Sequence, residues 1–165
     1  MRDRITVDSI AFARDADELQ GTLAVAELSR LHDVLFDQSG VITYRLTGAM
    51  NKDGIATLAL HIEATLVLIC QRCLGPMKFG LDATRNFELV PESHALGDPA
   101  EEPGDVERIH ADAKLDVAVL VEEEAILCLP MKAAHPAGEC LTPPTSGGGN
   151  EIKSAFSALA ALKRP

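Results

Sequence analysis

Between residues 41 and 90 apolar and polar side chains alternate three times over, and each break in the alternation falls on residues that turn a chain. Ile42, Tyr44 and Leu46 interleave with Thr43, Arg45 and Thr47, after which Asn51-Lys52-Asp53-Gly54 supplies turn chemistry. Leu58, Leu60, Ile62, Leu66 and Leu68 then oppose Thr57, His61, Glu63 and Thr65. Beyond Cys70-Gln71-Arg72-Cys73-Leu74-Gly75-Pro76 a third run sets Met77, Phe79, Leu81, Ala83, Phe87 and Leu89 against Lys78, Asp82, Thr84, Asn86 and Glu88, with Arg85 alone breaking the apolar phase. A period of two buries one face of a sheet and leaves the other wet. Residues 41–90 are therefore expected to form an antiparallel meander with Cys70 and Cys73 at its second reversal.

Around that meander the pattern changes period. Asp8 to Leu19 reads as a helix, Leu23 to Leu35 is ambiguous, and Glu92 to Asp105, rich in Pro, Gly and acids, reads as an exposed mobile loop. Leu115–Leu129 is apolar on a helical face through Val117, Leu120, Val121, Leu127 and Cys128, with Asp116 as cap and Pro130 as stop, so a helix over 116–129 is expected. A strand over 115–121 competes because of its valines. The Glu122-Glu123-Glu124 triplet is expected on the solvated side of that helix. Pro136, Pro143-Pro144 and Gly147-Gly148-Gly149 mark residues 136–150 as a flexible linker, and Asn150 can cap a short amphipathic helix over 151–165. The expected architecture is α+β: one domain over 1–135, a curved antiparallel sheet packed by helices, then linker and terminal helix.

With 165 residues the chain is long enough to bury roughly 70% of its unfolded surface, so it needs no disulfide framework. Four cysteines fit reduced or metal-bound thiols, and no apolar stretch reaches the ~20 residues of a membrane helix, so a soluble cytoplasmic protein is expected. The net charge of −10 discourages uniform phosphate binding, and the absence of Trp together with a single Tyr leaves few platforms for base stacking. The excess is local. Between Asp82 and Glu124 stand 13 acids and 3 bases, a net of −10, and the rest of the chain balances.

The chemical candidates are cysteines. Cys70 and Cys73 have the two-residue spacing that lets both thiolates reach one tetrahedral ion, and His135 with Cys140 can complete a structural zinc site. Cys128 is a further candidate ligand. In the plainer alternative Cys70 and Cys128 are small buried apolar residues and His135 is an exposed loop residue. A redox-active pair has less support, because the cysteines lie between two strands, with Arg72 the one cation adjacent in sequence to lower a thiol pKa. Phosphate-loop, HExxH and G-x-S-x-G motifs are absent, and no small-molecule substrate is evident. Arg72, Lys78 and Lys132 form a candidate basic edge beside the cysteines.

Cys70-Gln71-Arg72-Cys73-Leu74 followed by an alternating strand, then Leu120-Val121-Glu122-Glu123-Glu124-Ala125-Ile126-Leu127-Cys128-Leu129-Pro130-Met131 with His135 and Cys140 behind it, resembles the YceD family. The terminal Ser154-Ala155-Phe156-Ser157-Ala158-Leu159-Ala160-Ala161-Leu162-Lys163 and the Glu27-Leu28-Ser29-Arg30-Leu31 stretch are similar to it as well. The resemblance implies a bacterial cytoplasmic protein supporting accumulation of large-subunit ribosomal RNA, with a ribosomal protein or the rRNA as partner and no established enzymatic activity. A zinc- or thiol-dependent catalyst acting through Cys70 and Cys73 is the alternative. Some other members carry a fuller cysteine cluster after the Leu-Pro segment, resembling a zinc ribbon, where this chain has His135 and Cys140.

Overall fold

The computed structural model describes residues 5–97, 104 and 106–140. The expected meander is present as β4 (Val41–Met50), β5 (Ala56–Ile69) and β6 (Pro76–Val90), paired antiparallel throughout. Even positions of β4 and β5 and odd positions of β6 share one face, because Leu46 opposes Leu60 and Leu58 opposes Phe87. That face is the core, with Ile42, Leu46, Leu58, Leu60, Ile62, Leu66 and Phe87 all buried. Two helices cover it, α1 (Ser9–Arg14) and α2 (Val117–Cys128). The arrangement is an α+β fold.

The flanks hold strands that local pattern conceals. The helix expected over 8–19 stops at Arg14, where Ala16 takes φ 53°, and the chain continues as β2 (Glu18–Ala24) along β4. Leu19 and Leu23, four apart, imitate a helical stripe; their burial comes from the sheet instead, through pairing with Leu46 and Ile42. The ambiguous 23–35 stretch forms two 3-10 turns, Val25–Glu27 and Ser29–Val34. Its buried residues Val25, Leu28 and Leu31 are spaced by three, the repeat at which 3-10 side chains eclipse. A short β3 (Leu35–Asp37) then pairs with the far end of β5.

After β6 the chain returns as β7 (Val106–His110), parallel to β6. A parallel neighbour needs a crossover of a dozen or more residues, which 91–105 provides. Residues 98–103 and 105 of the expected acidic loop, the expected linker beyond residue 140 and the expected helix over 151–165 lie outside the described residues. Among the described residues the main sheet runs β2-β4-β5-β6-β7, and a separate pair joins β1 (Thr6–Val7) to β8 (Leu115–Asp116). β8 leads directly into α2, whose N-terminus Asp116 caps through Ala118 and Val119 N–H groups at 3.0 and 3.3 Å. Helix thus prevails over the strand reading of 115–121, except for its first two residues.

The glutamate triplet is a correction. Glu123 is exposed, whereas Glu122 and Glu124 are buried. Glu124 faces Arg85, the exception in the β6 alternation, at 3.2 Å. Arg85 opposes Leu60 on the covered face, so the residue that broke the pattern is the one that meets a buried carboxylate from α2. Among the described residues no helix is long and apolar enough to cross a membrane.

Candidate metal centre

β5 ends at Ile69 and β6 starts at Pro76, and the six residues between them close a tight knuckle. Cys70 N–H donates to the Gly75 carbonyl at 2.9 Å and Leu74 N–H donates to the Cys70 carbonyl at 2.8 Å. The left-handed conformation that this turn needs falls on Leu74, at φ 58°, and not on Gly75. The segment after α2 comes back to the knuckle, because Gln71 N–H donates to the Ala133 carbonyl at 2.8 Å. The Arg72 guanidinium adds a clamp, donating to the carbonyls of His135 and Pro136, the second at 3.1 Å.

This docking gathers Cys70, Cys73, His135 and Cys140, whose ligand atoms all lie within 4.8 Å of one another. Cys70 Sγ and Cys140 Sγ are 3.8 Å apart, Cys73 Sγ is 3.5 Å from His135 Nδ1, and Cys140 Sγ is 3.9 Å from the same nitrogen. A zinc tetrahedron with Zn–S bonds of about 2.3 Å has sulfur–sulfur edges of about 3.8 Å, so the spacing suits such an ion. The donor set is chemically apt, three soft sulfurs and one imidazole. His135 is pre-oriented for it: Nε2 lies 3.0 Å from the Pro76 carbonyl, which can only accept, so that nitrogen carries the proton and Nδ1 turns its lone pair to the sulfurs. The group could hold a metal ion.

The electrostatics agree with the geometry. The Cys70 pKa is lowered to about 5, first by the Cys73 backbone N–H and then by those of His135 and Arg72, against desolvation. Backbone N–H groups aimed at one sulfur favour a thiolate, the form a metal requires. Cys140 is pushed the other way, mainly by burial and then by the neighbouring thiols, as three sulfurs without a cation repel a second negative charge.

The remaining candidates are not among the four gathered side chains. Cys128 is half-buried beside Glu124 and Arg85, and its pKa is raised by burial. Lys78 and Lys132 are exposed, the first on β6 opposite Val67 and the second in the return segment. Arg72 is exposed but directs its guanidinium to the return segment. His135 is half-buried, not an exposed loop residue, and Cys70 is fully buried. Sequence reasoning missed the Pro76 carbonyl and the Arg72 clamp; a proline directly after the knuckle was the one visible signal for the first.

A family model described as "Large ribosomal RNA subunit accumulation protein YceD" matches residues 58–163, a span that contains all four gathered side chains. No solved structure matches the chain significantly.

Proposed function

The chain belongs to the YceD family, and from that premise we propose that it is a bacterial cytoplasmic factor that supports large-subunit ribosomal RNA accumulation by binding a ribosomal protein or the rRNA itself. The observation that carries the reading is the family match over 58–163. We assign Cys70, Cys73, His135 and Cys140 a structural zinc ion, whose part is to lock the segment after α2 onto the β5–β6 knuckle. Four protein donors close the coordination shell, and a closed shell leaves no position for substrate. Cys70 is also fully buried, unlike an attacking thiol. Both points support a binding factor over a zinc- or thiol-dependent catalyst. Arg72, Lys78 and Lys132, all exposed around the knuckle, are the proposed contacts to a phosphate-bearing or acidic partner surface.

Deleting the gene is expected to lower large-subunit rRNA and free large-subunit particles on sucrose gradients, and an unchanged profile would refute the role. Protein purified without chelator is expected to carry one zinc per chain by elemental analysis. Cys140→Ser should lose it, and a metal-free wild-type protein would remove the zinc assignment while leaving the ribosomal one standing.

A further inference from the structure

The knuckle holds more than a set of metal donors, because it also brings two thiols into contact across 70 positions of sequence. Cys70 Sγ and Cys140 Sγ are 3.8 Å apart, and all four cysteines are free thiols. The sulfurs of a disulfide stand about 2.05 Å apart, so closing this pair takes an approach of about 1.8 Å shared between two side chains. Cys73 is aimed elsewhere, with its Sγ 3.5 Å from His135 Nδ1. In an unfolded chain the short loop favours joining Cys70 to Cys73, three positions on, over joining it to Cys140. A Cys70–Cys140 bond is thus a product that only the folded knuckle directs.

Burial divides the labour between the two sulfurs. Cys70 is buried, whereas Cys73 and Cys140 are half-buried. A small oxidant therefore meets the half-buried sulfurs, and of these Cys140 has Cys70 in contact to resolve the oxidised form. The bond also has a mechanical consequence. Residues 133–140 are the segment that bonds to the knuckle through the Ala133 carbonyl and Gln71 N–H, so a covalent link at Cys140 holds that segment in place when the ion is gone.

We propose that the zinc site responds to hydroperoxides: Cys70 and Cys140 form a reversible disulfide that releases the ion and keeps residues 133–140 tied to the knuckle. The inference rests on the assignment of a structural zinc ion to these four side chains and adds the regulation of that site. The Cys140 thiolate attacks an oxygen of hydrogen peroxide; the S–O bond forms as the O–O bond breaks, and the departing hydroxide takes a proton from solvent. Cys140 is then a sulfenic acid, oxidised by two electrons, and the peroxide is reduced. The Cys70 thiolate attacks that sulfur, the S–S bond forms as the S–O bond breaks, and a second hydroxide leaves as water with another solvent proton. In sum, two zinc-bound thiolates, one hydrogen peroxide and two protons give one disulfide, two waters and a free zinc ion. Cys73 and His135 remain, two donors where a structural zinc takes four.

The sequence makes the product simple to map. Trypsin cuts after Lys52, Arg72, Lys78, Lys114, Lys132 and Lys153, so each cysteine falls in its own peptide. Full-length zinc-loaded protein is treated with hydrogen peroxide, blocked with N-ethylmaleimide and digested without reductant, while a chromogenic chelator reads the released zinc. The expected main product links 53–72 to 133–153 with one zinc released per chain, and dithiothreitol with added zinc restores the starting form. A main linkage through 73–78 or 115–132, or sulfinic acid in place of any linkage, would overturn the pair. In urea the main product is expected to shift to 53–72 with 73–78; an unchanged product there would show that native contact does not direct it. Gln71 N–H should keep its exchange protection in the oxidised, zinc-free protein, and its loss would overturn the disulfide as the tie. Two further outcomes separate this inference from the zinc assignment. Zinc-loaded protein that keeps all its thiols at a peroxide concentration that oxidises free cysteine would sink the disulfide and leave the zinc standing. Protein that carries no zinc yet forms the 53–72 to 133–153 linkage would sink the zinc and its release and sustain the disulfide.

Discussion

Leu74 occupies the left-handed region at the tip of the knuckle while its side chain is 68% exposed. A non-glycine residue there costs roughly 1–2 kcal/mol, and glycine restores some backbone entropy cost of about 0.5–1 kcal/mol. Leu74→Gly should therefore leave urea-unfolding stability unchanged or raise it by up to about 1 kcal/mol, and a loss well beyond that would mean the leucine packs against something. Cys70 carries the second residue-scale prediction. Its folded pKa lies near 5, below the ordinary thiol value of 9.0, so its contribution is complete above the ordinary value and is lost as pH falls through 5. The reduced, metal-free protein should gain stability as pH rises across that window, measured by urea midpoints, and Cys70→Ser should flatten the slope. Cys140, raised by burial, opposes this trend only above the ordinary thiol value. Spacing made Cys70 and Cys73 candidates, with His135 and Cys140 to complete the set. The Cys70 thiolate was not legible, because the N–H groups that hold it come partly from His135, 65 positions on in the chain.

At the scale of elements, two contacts set how the helices sit on the sheet. Gly48 of β4 passes under α1 so closely that a Cβ would meet the Phe12 carbonyl and stand 2.7 Å from Ala13 Cα. Both are backbone atoms and neither can rotate away. Gly48→Ala should cost about 2–3 kcal/mol in denaturant unfolding, the upper part of the overpacking range, whereas a cost near zero would mean that α1 shifts freely. α2 is tied by Glu124 to Arg85 of β6, with side-chain exposures of 4% and 36%. Removing one partner from a pair that is buried on one side only should cost about 2 kcal/mol, between the surface and interior cases. Glu124→Ala is expected to behave so in thermal or urea melts, and Arg85→Leu with Glu124→Leu to recover most of the loss. Failure of the double variant to recover would assign the cost to helix packing instead of the ion pair. Strand alternation and the Asp116 cap made the meander and α2 readable, but β2 was hidden because Leu19 and Leu23 carry a helical spacing that only pairing with β4 overrides.

For the whole molecule, the knuckle joins parts distant in sequence. Gln71 bonds to Ala133 and Arg72 to His135 and Pro136, so residues 133–140 meet the knuckle through hydrogen bonds and the gathered side chains, with Ala133 in the buried core. Removal of the proposed zinc should release this segment without melting the sheet. Hydrogen exchange after chelation is expected to lose protection at Gln71 N–H while the β5–β6 ladder keeps its own, and global loss of protection would instead make the metal a condition for folding. The charge distribution has the same two-level character: the sequence places the acidic excess in residues 82–124, and folding moves Glu124 to Arg85 and sets Glu122 on the Arg30 backbone N–H. The sequence by itself determined what depends on neighbours along the chain, namely the period-two faces, the turns between them, the cap of α2 and the spacing of Cys70 and Cys73. Only the tertiary structure decided the parallel β7, the buried glutamates and the return of His135 and Cys140 to the knuckle. Each of those is a meeting of segments far apart in sequence, fixed by how the sheet and helices pack, and no local periodicity carries that information.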